Sequence, residues 1–237
     1  MSIRYQTKGF LIKKTDQGEA DQLLTLYTKD FGKIKVLGRG IRKIQSKLKY
    51  GADLFNLSEI EFIGGRRIKT VTDIRGVKSF KRAKENLQRL RTLSGMCNSL
   101  DLLIPEEEQD LKIWDLLSDA FKELNKKTPS FLIFHYFFWN LFRILGYQPS
   151  LYQCACCQKK LSPDNLYFSC QEGGVVCGRC SRGEKISQET VKVMRLFTEE
   201  DLQNLTKFNI LKKHQQSLNK ILGAYLSYFK RADNLLY

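Results

Sequence analysis

Two periodicities divide this chain of 237 residues. Over its first third, apolar side chains recur at every second position in short runs rich in β-branched and aromatic residues: YQTKGFLIKKTD, DQLLTLYTKD, KIKVLGRG, DLFNLSEIEF and RRIKTVTDI. Successive side chains of a strand point to opposite faces, so this spacing predicts strands. Alternation is clearest where Leu24 and Leu26 interleave with Thr25 and Tyr27, and again along residues 54–62. Gly18, Phe31-Gly32, the loop around Gly38 and Gly40, and Gly64-Gly65 separate the runs, and the last pair signals a tight hairpin. Five short antiparallel strands fit a small closed barrel such as the OB-fold, whose open face binds oligonucleotides. A small sandwich is the structural rival.

After Val77 the period lengthens to that of a helix. SFKRAKENLQRLRTLSGMCNSLDLLIPEEE places Leu87, Leu90, Leu93, Leu100 and Leu103 on one stripe, stopped by Pro105. PEEEQDLKIWDLLSDAFKELNKK predicts a second helix with acids in its first turn and lysines in its last, as the macrodipole favours. A third opens with Thr128 as N-cap and Pro129 at the first helical position, and closes at Gly146. Its body, FLIFHYFFWNLFRIL, is apolar nearly all round, which predicts a buried central helix. It is short for a membrane span and contains His135, Asn140 and Arg143. Further on, Ser187 can cap SQETVKVMRLF, and a last helix covers roughly residues 210–229. The expectation is an α+β chain: a barrel domain over residues 1–79, then a helical domain over residues 80–237 carrying an insertion at about residues 150–185.

That insertion holds the most specific chemistry. In CACCQKKLSPDNLYFSCQEGGVVCGRC, two C-x-x-C pairs, Cys154/Cys157 and Cys177/Cys180, stand nineteen residues apart. Each pair can aim two sulfurs at one zinc ion about 2.3 Å away, and the separation suits a four-cysteine site. Gly173, Gly174 and Gly178 fit a backbone that turns sharply. Buried free thiols or two disulfides are the alternatives. Cys156 and Cys170 lie in the same window; adjacent residues diverge, so the spacing prefers Cys157 to Cys156, and Cys170 reads as a small packing residue on a short strand, as Cys97 does in its helix. Four thiolates without an open position predict one structural zinc ion.

Charge shifts attention back to the first third. The net charge is +15 and the pI near 9.5, which ask for an anionic partner, nucleic acid first and acidic membrane second. Residues 1–80 hold 17 Lys/Arg against 8 Asp/Glu, more than half of the excess. Between Phe31 and Ala52 stand Lys33, Lys35, Arg39, Arg42, Lys43, Lys47 and Lys49 with no acidic residue, and Arg66, Arg67 and Lys69 begin the next strand. Such a segment can lay cations along a phosphate backbone without reading sequence. Of the aromatics Tyr5, Phe10, Tyr27, Phe31 and Tyr50, Tyr27 and Tyr50 have polar or basic neighbours and are the better candidates for stacking on bases.

Catalytic chemistry finds no motif here. A P-loop, a dinucleotide fingerprint and H-E-x-x-H are missing, and His135 reads as a satisfied core residue. The N-terminus lacks the apolar core of a signal peptide, and no run of eighteen apolar residues occurs. A non-enzymatic, cytoplasmic protein is expected, with reduced thiols free for metal.

The run EADQLLTLYTKDFGKIKVLGRGIRKIQSKL at residues 19–48, followed by residues 54–62, resembles the RecO family of bacterial DNA repair and recombination mediators. So do Leu145-Gly146-Tyr147-x-Pro149, C-x-x-C at 154–157 and GGVVCxxC at 173–180, which are similar to the zinc-bearing members. The order of strands, helices, cysteine knuckle and helices agrees over nearly the whole chain. The resemblance implies an OB-fold that binds single- and double-stranded DNA, anneals complementary strands and helps load recombinase onto protein-coated single strands. It implies RecR and the acidic C-terminal tail of the single-strand-binding protein as partners, and work at the bacterial nucleoid. Cys156 and Gln158 depart from the family pattern. A zinc-stabilised protein- or RNA-interaction scaffold without annealing activity is the alternative function.

Overall fold

The computed structural model describes residues 3–65 and 68–233. Its first strands are β1 (Arg4–Gln17), β2 (Asp21–Thr28), β3 (Gly32–Gly38), β4 (Leu57–Ile63) and β5 (Lys69–Lys78), and they close into a barrel in the order β1-β2-β3-β5-β4. Neighbours are antiparallel except β3 and β5, which meet in parallel through Val36↔Lys69 and Leu37↔Thr70. This is the five-stranded Greek-key arrangement of an OB-fold. Strand β1 closes it: residues 4–10 pair with β4 and residues 9–17 with β2, across a bulge between Leu11 and Lys13. Leu11, Leu24, Leu26, Ile34, Val36, Ile60, Phe62, Val71 and Ile74 fill the interior. Burying that many aliphatic side chains is the main stabilising term, at about 1.5–3 kcal/mol each before conformational entropy is subtracted.

Two details of the strand reading change. The antiparallel pairing of β4 with β5 begins at Ile63↔Thr70, so Gly64-Gly65 belongs to a connection longer than a two-residue turn. Strand β2 is buried on both faces: Leu24 and Leu26 point inward, while Thr25 and Tyr27 are covered from outside.

The cover is helical. The chain divides into two compact units, residues 1–130 and 131–237. The first combines the barrel with α1 (Lys81–Glu85), α2 (Leu87–Leu103) and α3 (Leu111–Leu124). Phe10, on the outer face of β1, packs against Phe80, Trp114 and Phe121 with ring centroids 6.2, 5.2 and 4.7 Å away. The single helix expected after Val77 is broken at Asn86, whose side chain leaves the helical path to cap α2 by accepting from the Arg89 N–H. Leu87 is consequently exposed, while Leu93 and Leu100 are buried. Likewise α3 begins only at Leu111: Asp110 caps it, accepting from the N–H groups of Lys112 and Ile113. Glu106, Glu107 and Glu108 lie in the preceding connector, not in a first helical turn.

Helix α4 (Ser130–Ile144) leads into the second unit. Thr128 does not cap it as expected; its hydroxyl donates to Glu123 at 2.9 Å. The helix is buried through Ile133, Phe137, Phe138, Trp139, Leu141 and Phe142 and ends before Gly146, which takes a left-handed φ of 81°. Three short strands, β6 (Leu166–Ser169), β7 (Gly174–Val176) and β8 (Glu184–Ile186), form a sheet in the order β7-β6-β8. Then come α5 (Gln188–Glu199), capped by Ser187, α6 (Leu202–Leu205) and α7 (Lys212–Asp233). Tyr225 of α7 joins the layers, packing on Phe142 and Phe168 at 4.9 and 5.7 Å.

His135 is fully buried on α4, stacked 5.4 Å from Phe197 and bonded through Nε2 to Asn219 at 2.9 Å. Burial pushes its pKa down to about 4, so it sits neutral in the core; only one ring nitrogen is satisfied as expected, since the buried Nδ1 meets no hydrogen-bond partner among the described residues. No helix among the described residues is long and apolar enough to cross a membrane.

Candidate functional site: a basic barrel loop and a cysteine knuckle

The loop after β3 is built on three inward anchors. Ile41 and Ala52 are buried in the barrel core and Leu48 packs against it. Gly51 lies so close to β5 that a Cβ there would stand 2.2 Å from the Ile74 carbonyl oxygen. Between the anchors the chain turns outward, held by the Arg42 N–H donating to the Ala20 carbonyl and the Gly40 N–H to Asp21. Arg39, Arg42, Lys43, Lys47 and Lys49 are exposed. So are Ile44 and Tyr50, at 91% and 84%. Arg42 touches Asp16 at 3.4 Å and donates to the Gly18 carbonyl, both exposed contacts that an anion can outcompete.

The two lysines earlier in the segment behave differently. Lys33 is only 6% exposed, and its ammonium donates to the Asp101 carbonyl oxygen at 2.5 Å. Burial lowers its pKa, partly offset by the Asp101 carboxylate. Lys35 pairs with Glu106 at 2.5 Å, a contact that raises its pKa, and Lys69 pairs with Glu107. Tyr27 is also withdrawn: it is fully buried, its hydroxyl donates to the Asp110 carbonyl at 3.1 Å, and burial pushes its pKa up. A side chain in that position has no face to offer a base, so only Tyr50 of the two stacking candidates is presented. Arg66 and Arg67 lie outside the described residues.

The groups that withdraw these side chains, Asp101, Glu106, Glu107 and Asp110, are neighbours of the candidate site that the sequence pattern does not point to. The acidic run after Pro105 is the available signal, but its composition equally suits the first turn of a helix.

In the second unit the four sulfurs of Cys154, Cys157, Cys177 and Cys180 lie within 4.8 Å of one another. Cys157 and Cys177 Sγ are 3.9 Å apart, against about 3.8 Å for the edge of a tetrahedron with 2.3 Å metal–sulfur bonds. The N–H groups of Cys157 and Cys177 donate to Cys154 Sγ at 3.5 and 3.4 Å. Burial works against the Cys154 thiolate, but these bonds outweigh it and bring its pKa to about 6. Local backbone pairing holds the pairs in place: Ala155 donates to the Val175 carbonyl, and Val175 to that of Ser150, each at 2.8 Å. A Cβ on Gly174 would stand 2.5 Å from the Ser150 oxygen, so this approach requires glycine. Cys156 is exposed and Cys170 half-buried, both outside the cluster; Cys97 is buried, which pushes its thiol pKa up. The donor set fits one tetrahedral metal ion.

Comparison with known proteins agrees with both halves. Residues 1–80 match the model of the recombination protein O N terminal domain, and residues 84–229 that of its C terminal domain. The chain is 33% identical over 227 residues to the DNA repair protein RecO of Dehalococcoides mccartyi, covering 94% of this chain and 90% of the relative. It is 28% identical over 233 residues to the proteins of the same name from Roseiflexus sp. and Pelotomaculum thermopropionicum, covering 97% of this chain and 82% and 90% of those relatives. With two consecutive domain models matched and this identity over nearly its whole length, the chain belongs to the RecO family.

Proposed function

We propose that this protein is a DNA repair and recombination mediator that binds single- and double-stranded DNA through the exposed loop after β3, anneals complementary strands, and assists recombinase loading onto protein-coated single strands. The observation that carries the reading is the cluster of outward cations on an OB barrel, Arg39, Arg42, Lys43, Lys47 and Lys49, of which Arg42 alone pairs with an acid among the described residues, through its exposed contact with Asp16. Cations on a mobile-side-chain surface neutralise phosphates regardless of base, which annealing of arbitrary sequences requires. Tyr50 adds a stacking face that unpaired bases can use and paired ones cannot. The relatives' name, DNA repair protein, supports the process. RecR and the acidic tail of the single-strand-binding protein are the partners, and the bacterial nucleoid is the setting. The reading includes no catalytic step.

Cys154, Cys157, Cys177 and Cys180 hold one zinc ion, whose closed sulfur set braces the turns around β6 and β7. Four thiolates around a divalent ion carry a formal −2, and the groove beside them is lined by Lys159, Lys160 and Arg179, which offset it.

An annealing assay on complementary oligonucleotides, with and without single-strand-binding protein, tests the reading. Acceleration of duplex formation supports it. Absence of annealing, together with tighter binding to RNA than to DNA, would favour an RNA- or protein-binding scaffold.

A further inference from the structure

The face of an OB barrel around strands 2 and 3 is where oligonucleotides ordinarily lie. Here part of that face is taken by the chain itself. Among the described residues, strand β5 pairs with β3 at Val36 and Leu37, and the β3 edge at Lys33 is met by another segment. That segment is the connector before α3. Glu106 bridges Lys33 as a parallel strand would, and the Glu107 N–H donates to the Lys33 carbonyl at 2.8 Å. Gln109 donates to the Lys29 carbonyl at 3.1 Å, and the Glu108 carbonyl sits where a Cβ on Gly32 would be. Seated this way, the connector sets its carboxylates on the barrel's cations: Glu106 on Lys35 and Glu107 on Lys69.

We infer that residues 106–108 are an intramolecular competitor for nucleic-acid phosphate: the Glu106 and Glu107 carboxylates occupy a latent phosphate track formed by Lys35 and Lys69 at the β3–β5 seam. The inference rests on the reading that the barrel binds nucleic acid. Three features support competition over permanent closure. The side chains of Lys35 and Glu106 are 40% and 46% exposed and those of Lys69 and Glu107 are 26% and 61% exposed, so an incoming phosphate reaches Lys35 directly and Lys69 once the Glu107 carboxylate gives way. Ion pairs of this exposure shift an equilibrium by no more than about fivefold each, less than the gain from releasing condensed counterions along a strand. Glu107 also holds a left-handed φ of 64°, which a glutamate adopts reluctantly, so the seam imposes the connector's shape. Lys33 takes no part, being buried against Asp101.

The test is E106Q/E107Q in the full chain, with binding of a fluorescent single-stranded oligonucleotide followed by anisotropy over a salt series. Freeing two cations should tighten binding on the order of three- to tenfold at low salt and steepen the log K against log salt slope by about 1.4. Adding Lys35→Ala and Lys69→Ala to that variant should remove the gain. E106D/E107D keeps the charge and should match the wild type. An unchanged slope in E106Q/E107Q would overturn the inference, as would a gain that survives loss of both lysines, which marks net charge alone. Should the double variant melt early, E107Q alone carries the measurement with half the slope change. A wild type that binds no DNA sinks the underlying reading; a wild type that binds, with a variant that binds no better, sinks only the competitor.

Discussion

The basic loop and the cysteine knuckle are organised on opposite principles. In the knuckle, all four ligand sulfurs lie within 27 residues of sequence, and they meet because two local turns aim them inward. In the barrel, the fate of each cation depends on residues far along the chain. Lys33 and Lys43 are ten positions apart in the same acid-free run, yet one is buried against Asp101 and the other stands in solvent. A ligand set that folding turns inward can stabilise; a charge set left outward is available to a partner. Mixing the two roles on one surface would oblige each cation to choose between neighbours and ligand, as Lys35 does.

If that division is right, the strongest perturbation is metal removal. Chelation, or Cys177→Ser, should lower the unfolding midpoint by ten degrees or more, since a structural zinc site contributes several kcal/mol (roughly 10 in isolated fingers). DNA affinity at low temperature should change less than about twofold, since the proposed loop contacts draw on no residue of the knuckle. Thermal melts followed by circular dichroism, paired with anisotropy, read both; a collapse of binding with the metal would break the comparison.

Next in size is the loop. Changing Arg39, Arg42, Lys43 and Lys47 together to Glu should weaken binding of single and double strands by about 100-fold at low salt and flatten the salt slope by roughly 3, with the melting curve unmoved. Retained affinity would place the contacts elsewhere on the chain.

A smaller effect separates the core of the second unit from the surface of the first. The His135 pKa is held near 4, below its ordinary 6.5, so the stability it contributes is complete above pH 6.5 and is lost as pH falls toward 4. Between pH 7.5 and pH 5 the wild type should lose about 2 kcal/mol more than His135→Gln in urea titrations. Equal losses would mean the imidazole is protonated in the fold. The smallest change expected is Tyr50→Ala, which should weaken single-strand binding about tenfold and duplex binding hardly at all.

Much of this was legible from the chain, for a physical reason that also marks the limit. Strand alternation, the C-x-x-C spacing and the Ser187 cap are set by neighbours a few residues away, and each could be read where it stands. The RecO resemblance joined those pieces into an order. Local misreadings, such as the break at Asn86, moved element ends; the assignments that moved site residues were those made across a long loop. The partner of Lys33 is 68 residues on, and that of Tyr27 is 83. Tyr27 looked like a surface aromatic among polar residues, because nothing nearby shows that α3 and its connector fold back over β2. Glu106 and Glu107 suited a helix start by composition, but Asp110 is the residue whose side chain caps α3, and the acids before it were left free to pair with the barrel.

Strand β1 sets an order of events during synthesis. Its second half finds β2 within a few residues, but residues 4–10 pair with β4, whose register partners lie at 57–63. As the chain leaves the ribosome, that first half spends the translation of some fifty residues as an open edge, able to pair with any other strand it meets. Arg4, Gln6 and Lys8 alternate along it, polar positions that make such pairing poor. The hairpin of β1 and β2 can form at once; the barrel cannot close until β4 arrives, and the parallel contact of β3 with β5 comes later still. Closure through such distant pairings is slow by nature, so the barrel should mature well after its first hairpin has formed.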